Sequence, residues 1–382
     1  MRKLSFLRGL AILAVVLNHS AGWAVTALVW WSGRFGSATP PNKTWIGTPA
    51  YFVLLLASQL PLFSVPLFLF VSGYFVAYAS RGDPRRLTYS VTFASLRSLL
   101  GPFVFWLTIA SLLAGAVSSL GKAHDFTSGL EDGLVSSLIA YYYVPTLVAM
   151  LVVSRPLMAM VIRRPILLLA VTLIMQPTVW QELAGWLQVA DVNRLDPIYS
   201  FLLQYFPGQL LGTIRWSLGF TIYFVLGMLF EHYRLAQHHW CSSYSRLATA
   251  ATMALGSLSI VDADIQFRAV PTALGLGQWN LPTFLFGLSV IVLLFEGNMG
   301  RNQLAGAVEL IGVRSYSIYL AQYIVIQYAA KAVYTVAPWM LPESLLMILV
   351  LACVGLGTPL ILPRLFSMIG MRRYAKYAFG VS

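Results

Sequence analysis

Arg8 and His19 stand eleven positions apart in the stretch RGLAILAVVLNHS, at the start of the first long apolar run. If the run is helical, eleven residues make about three turns, so the two side chains share one face. At 1.5 Å per residue they differ in depth by about 16 Å, roughly half of a ~30 Å hydrocarbon core. Arg8 then lies near one membrane surface and His19 near the bilayer centre. An ionisable side chain at that depth is costly and marks a functional site by default. Histidine is the side chain suited to take and return a proton near neutral pH, so the chemistry in view is proton transfer inside a membrane. A histidine bonded to a neighbouring helix for structure alone is the plainer alternative, and Asn18 beside it could serve either role.

Other groupings carry less. His232, His238, His239 and Cys241 fall close together, but the spacing H-x5-HH-x-C matches no zinc pattern, and no metal site is expected. Two cysteines, Cys241 and Cys353, give no disulfide framework. Ser72-Gly73 reads first as a close helix-packing pair, with Ser72 a hydrogen-bonding group rather than a nucleophile. Arg81, Arg85 and Arg86 form a basic loop, and Arg97 stands at the mouth of an apolar run five residues before Pro102. Guanidinium groups of this kind suit phosphate recognition. An ordinary basic loop facing anionic lipid is the alternative for the 81–86 cluster.

The elements that must position these residues follow from composition. The chain has 382 residues, 58% of them hydrophobic and 10% charged, with a mean hydropathy of +0.75. Soluble domains carry about a quarter charged residues, so the expected class is an all-α, polytopic integral membrane protein. Spans are predicted near residues 6–31, 62–80, 98–118, 134–153, 166–186, 216–230, 247–262, 279–295, 315–335 and 344–363, about ten helices by the ~20-residue criterion. Residues 46–60 read as an interfacial or re-entrant segment. With both termini cytoplasmic, 18 of the 25 Lys and Arg fall on the inner side and nine of the thirteen acidic residues on the outer side, as the positive-inside rule requires. The basic balance therefore reflects topology rather than nucleic-acid binding. No internal repeat is visible, and no linker separates domains, so residues 1–382 are expected to form one transmembrane domain. The largest outer segment, 187–215, is turn-rich and aromatic and could cover the outer mouth of a site.

Several short motifs then occur in a fixed order: Arg8 with His19, FLFVSGY at 68–74, Arg97 with Pro102, YYYVP at 141–145, YFVLGML at 223–229 and RSYSIYLAQY at 314–323. Together they resemble the membrane-integral acyltransferase family 3, whose members O- or N-acylate sugars and other acceptors. That family opens with an Arg-x10-His helix, continues through FF-x-x-SG(Y/F) and FxxGM helices, and carries a late SYSIYL-x-H helix. Two departures stand out. Gln322 occupies the position where the last motif usually has His, and the arginine cluster before Pro102 is reduced to Arg97.

The resemblance implies transfer of an acyl group, most simply acetyl, from cytoplasmic acyl-CoA to a hydroxyl of a carbohydrate, lipid-linked glycan or glycosylated acceptor. Acyl-CoA is then a donor substrate, with no tightly bound cofactor. His19 is the expected general base, since a hydroxyl is a poor nucleophile until its proton is removed. Arg8, Arg97, Ser72, Arg81, Arg85 and Arg86 are the expected donor-binding residues. Asn18, Tyr316 and Gln322 are expected on the acceptor side or in support. The expected location is a bacterial inner membrane, with homo-oligomerisation left open. The rival is a transporter or exporter, in which a buried His relays protons. Transporters commonly show repeats and several acidic residues at the midplane. Here no repeat is visible, and the acids lie at predicted ends or loops; Glu296 and Glu309, for instance, flank a predicted cytoplasmic loop.

Overall fold

Helix α1 (Arg2–Trp30) is an almost uninterrupted apolar run of 29 residues, about 43 Å long at 1.5 Å per residue. In the computed structural model it is the hub of its surroundings. The structure describes residues 2–37, 39–120, 125–176, 218–234, 240–269, 280–296, 302–368, 370 and 378. Among them, all regular structure is helical. The predicted outer segment 187–215, together with His238 and His239, lies outside the described residues.

The chain divides into two compact units, residues 1–65 with 241–382, and residues 66–240. In the first, α1 packs against α2 (Pro49–Gln59), α12 (Gln303–Val313), α13 (Ser315–Val336) and α14 (Ser344–Met368). The same unit holds α10 (Trp240–Ala269, from Cys241 on) and α11 (Leu281–Glu296). Local signals set several of these starts. Thr48 caps α2 by accepting from the Tyr51 backbone N–H, with Pro49 at the first helical position. Asn302 caps α12 by accepting from Ala305 N–H at 2.8 Å. Both satisfy amides that a helix start leaves without a partner.

The crossing of α1 with α12 depends on two glycines. A Cβ on Gly9 would run into the Val308 carbonyl, and one on Gly312 into the Ser5 carbonyl. Only hydrogen at these positions lets the two backbones touch, the device membrane helices use in place of a hydrophobic driving force. Arg2 then reaches Glu309 at 2.6 Å on the exposed side of the same crossing. This corrects the predicted loop around Glu309: residues 303–313 are helical and packed on α1. In the first turn of α2, Tyr51 donates its hydroxyl to Asp264, which also takes Arg268 Nε at 2.9 Å. That network ties α2 to α10.

The second unit holds α3 (Ser64–Ser80, from Pro66 on), α4 (Tyr89–Leu120), α5 (Phe126–Ala140), α6 (Tyr143–Val152), α7 (Ser154–Arg163), α8 (Pro165–Ile174) and α9 (Thr221–His232). Here α4 packs along α5 and α6, and α9 packs on α7 and α8. The predicted single span at 134–153 is two helices, α5 and α6, bent by 62° at the break. The break falls at Tyr141–Tyr142. Pro145 follows in the first turn of α6, where a missing N–H is tolerated because that turn has no amide partner to lose. The predicted basic loop 154–165 is largely α7, which carries Arg155 and Arg163 and buries Met158 and Val161.

Four described helical stretches are long and apolar enough to cross a membrane: Arg2–Trp30, Pro49–Ser80, Tyr89–Ser119 and Ser344–Met368. The bent pair α5–α6 makes a fifth when counted as one span. The segment read as interfacial or re-entrant, 46–60, contributes α2, and helix continues from Pro49 to Ser80 through a 3₁₀ turn at Leu60–Phe63.

Candidate functional site

The apolar face of α1 carries three polar positions inward, and each finds a partner on another element of its own unit. Arg8, half-buried, donates from Nε to Ser315 Oγ at 3.2 Å. Asn18 donates from Nδ2 to the Ser58 carbonyl of α2 at 2.8 Å. His19 Nδ1 lies 3.2 Å from Gln322 Nε2 on α13. Tyr323 closes one side of the imidazole, ring to ring at 5.4 Å and nearly perpendicular.

Two of these contacts form rungs of one ladder. From Arg8 to His19 is eleven residues along α1, and from Ser315 to Gln322 is seven along α13. The pairs ascend in the same direction, so α1 and α13 run parallel, and the spacing between rungs is about 10–16 Å at 1.5 Å per residue. A third contact continues the series at the far end, where Arg34 Nε donates to the Tyr334 carbonyl at 3.3 Å. His19 therefore sits midway along a bundle whose ends carry the arginines. Gln322 is fully buried, and its Nε2 also lies 3.5 Å from the Tyr319 carbonyl of its own helix. Its Oε1 is buried with no hydrogen-bond partner among the described residues. Tyr316, next to Ser315, is half-buried.

The arrangement can hold a proton-transfer group in low-polarity surroundings with one ring nitrogen fixed. Periodicity alone placed Arg8 and His19 on one face. It gave no sign of Ser315, Ser58 or Tyr323, which complete the constellation. The available signal for Ser315 and Tyr323 was the RSYSIYLAQY stretch, whose seven-residue Ser-to-Gln spacing puts both on one side of a helix.

The remaining predicted site residues belong to the second unit. Ser72 donates its hydroxyl to the Phe68 carbonyl one turn back at 2.8 Å, and lies 3.5 Å from the Tyr143 hydroxyl. Phe68 and Tyr143 also meet ring to ring at 5.6 Å. Next to Ser72, Gly73 abuts the Phe224 backbone, and Gly227 abuts the Phe70 backbone. The SGY and LGML motifs are thus two sides of one close helix crossing. Arg81, Arg85 and Arg86 are exposed, the last two on a 3₁₀ turn capped by Asp83, which accepts from Arg85 N–H at 2.9 Å. That turn packs against α7. Arg97 is exposed on α4, ahead of Pro102 within the same helix. Of the other predicted groups, His232 is half-buried against Tyr233 at the end of α9.

A chain of apolar helices with a histidine, a glutamine and an arginine hydrogen-bonded inside it is a multi-pass membrane protein with an internal polar site. The acyltransferase domain model matches residues 1–362, and the chain belongs to acyltransferase family 3. It is accordingly an acyltransferase acting on groups other than amino-acyl groups. Searches among curated proteins and among solved structures find no match to the chain.

Proposed function

We propose that the protein moves an acetyl or other short acyl group from cytoplasmic acyl-CoA to a hydroxyl of a carbohydrate or glycosylated acceptor, with His19 as general base. In this reading the acceptor hydroxyl gives its proton to His19 as its oxygen attacks the thioester carbonyl. The C–S bond breaks, and His19 returns the proton to the departing thiolate, so ester and free thiol are the products. The observation that carries the reading is the His19–Gln322 pair at 3.2 Å midway along α1, with Arg8 held about 16 Å away at its start. A half-buried, hydrogen-bonded histidine held among apolar helices marks a functional site by default.

Donor recognition falls to Arg8 and Arg97, with Arg81, Arg85, Arg86 and Ser72 in support. All five arginines belong to the cytoplasmic face in a topology of about ten spans with both termini inside, as the positive-inside rule orders them. Such a topology uses the shorter apolar helices Pro165–Ile174, Thr221–His232, Leu281–Phe295 and Gln303–Val313 as well as the long ones. It suits a bacterial inner membrane, where acyl-CoA and envelope glycan precursors meet. Asn18 and Tyr316 support the acceptor side.

The test is thiol release from acetyl-CoA by purified protein in detergent, with and without carbohydrate acceptors. Acceptor-dependent release, lost in His19→Ala at unchanged expression, is the expected result. Release that ignores the acceptor, or persists in His19→Ala, overturns the reading. A transporter shows no release at all.

A further inference from the structure

Among the described residues, Gln322 is the side chain whose amide meets the His19 ring, and it is half satisfied. Its Nε2 faces His19 Nδ1 at 3.2 Å and the Tyr319 carbonyl at 3.5 Å. Its Oε1 is buried with no partner among the described residues. A buried carbonyl oxygen left without a donor is costly, and such exceptions call for a reason.

The chemistry of the ring supplies one. A neutral imidazole carries a single N–H, and which nitrogen holds it is set by the bond the other makes. With Nε2 of the amide against Nδ1, the ring accepts there and carries its proton on the far nitrogen. In that form the far nitrogen has no lone pair to offer. Rotation of the amide by half a turn about Cγ–Cδ exchanges the two ends. Oε1 then stands where Nε2 stood and accepts from Nδ1–H, and the far nitrogen becomes a base.

We infer that Gln322 is a positioning residue whose amide turns to present Oε1 to His19 Nδ1–H, making Nε2 the ring atom that takes and returns the proton. This rests on the reading of His19 as the base. The proton balance closes on one ring. The acceptor O–H proton passes to His19 Nε2, giving an imidazolium whose Nδ1–H stays bonded to Gln322 Oε1. As the C–S bond breaks, the same proton passes from Nε2 to the thiolate, and the ring returns to its Nδ1–H form. An amide serves both tautomers because it is donor at one end and acceptor at the other. Leucine fills a similar volume but can do neither, and asparagine has the groups but is one methylene short. Histidine, which the family pattern usually places here, can again donate or accept.

The experiment is steady-state kinetics with acyl-CoA and a carbohydrate acceptor on Gln322→Leu, Gln322→Asn and Gln322→His, alongside melting temperatures in detergent. The expected result is a fall in kcat of about 10- to 150-fold in Leu and Asn, the rate equivalent of one hydrogen bond to a charged group. KM for acyl-CoA stays unchanged, the melting temperature of the Leu variant is equal or higher, and His keeps most of the activity. A merely structural glutamine leaves kcat unchanged in Leu and Asn, with any effect confined to the melting temperature. Normal kcat in either the Leu or the Asn variant overturns the inference, and Asn decides if Leu does not fold. His19→Gln separates the two readings. If it is inactive while the Gln322 variants are normal, only the positioning role fails, whereas an active His19→Gln removes both.

Discussion

In the unit formed by residues 1–65 and 241–382, side chains able to donate, accept or titrate lie within the bundle and bond from helix to helix: Arg8 to Ser315, Asn18 to Ser58, His19 to Gln322. In the unit formed by residues 66–240, Arg81, Arg85, Arg86 and Arg97 are exposed, and a principal crossing is made by Gly73 and Gly227 pressed on backbone. The contrast has a physical meaning. A polar group inside apolar helices costs free energy unless paired, so an unneeded one is easily replaced by an apolar residue. The first unit keeps several, which points to chemistry. The second spends its sequence on close packing, and leaves its guanidinium groups where a phosphate can reach them.

The largest effect that can break this comparison is at His19. Substitution by Gln keeps hydrogen-bonding capacity and removes the titratable nitrogen, so transfer should fall by about 10²- to 10⁴-fold, the usual worth of a general base. Near-normal transfer would return His19 to the class of structural hydrogen-bonding groups and erase the chemical distinction between the units. The wild-type rate should also fall as pH drops through the range where imidazole protonates, because the protonated ring has no lone pair to offer.

Next in size is Arg97→Ala. An exposed arginine that pairs with a donor phosphate gives up about 1.5–3 kcal/mol on removal, the range for a hydrogen bond to a charged group. The expected signature is a raised KM for acyl-CoA with kcat and melting temperature unchanged. Unaltered donor KM would assign Arg97 to lipid head groups, and the second unit would lose its part in the reaction.

Gly227→Val acts on stability instead. The added Cβ meets the Phe70 carbonyl and the Tyr74 amide, both backbone, so the helices must part. Overpacking of this kind costs about 1–3 kcal/mol, read as a lower melting temperature in detergent. Unchanged melting would mean that the crossing is not what holds this unit.

How much of this could be read from the sequence differs between the two units in an instructive way. The long apolar runs gave α1 and α14 directly, and the eleven-residue spacing put Arg8 and His19 on one face, because helix periodicity is local information. Their partners are some 300 positions away in the chain, and periodicity says which face looks inward, never what it meets. Gln322 drew notice as a departure from a motif, with no hint that it touches His19. Helix α12 was missed because eleven residues containing Glu309 are too few for a span; the Gly9 and Gly312 contacts that hold it on α1 are long-range. In the other unit, a continuous apolar run at 134–153 concealed a 62° bend. Hydropathy registers the apolar character of Tyr141–Pro145, but not the change of direction.

The smallest effect is the most discriminating about Ser72. A hydroxyl in a membrane acyltransferase invites the role of acyl-accepting nucleophile, and Ser72 is 3.5 Å from a tyrosine hydroxyl. Its proton, however, is given to the Phe68 carbonyl at 2.8 Å, a one-turn back-bond within its own helix. Such bonds satisfy the hydroxyl locally and contribute little or slightly unfavourably to the helix. A serine nucleophile also needs a base within hydrogen-bond reach, and the hydrogen-bonding neighbours of Ser72 Oγ among the described residues are a carbonyl and a phenol. Ser72→Ala should therefore keep kcat within about twofold, with any loss falling on the donor KM, and shift stability by less than about 0.5 kcal/mol, the range of substitutions that break no buried network. Loss of activity as large as that in His19→Gln, or a trapped acyl group on Ser72 in mass spectrometry, would place covalent chemistry in the second unit.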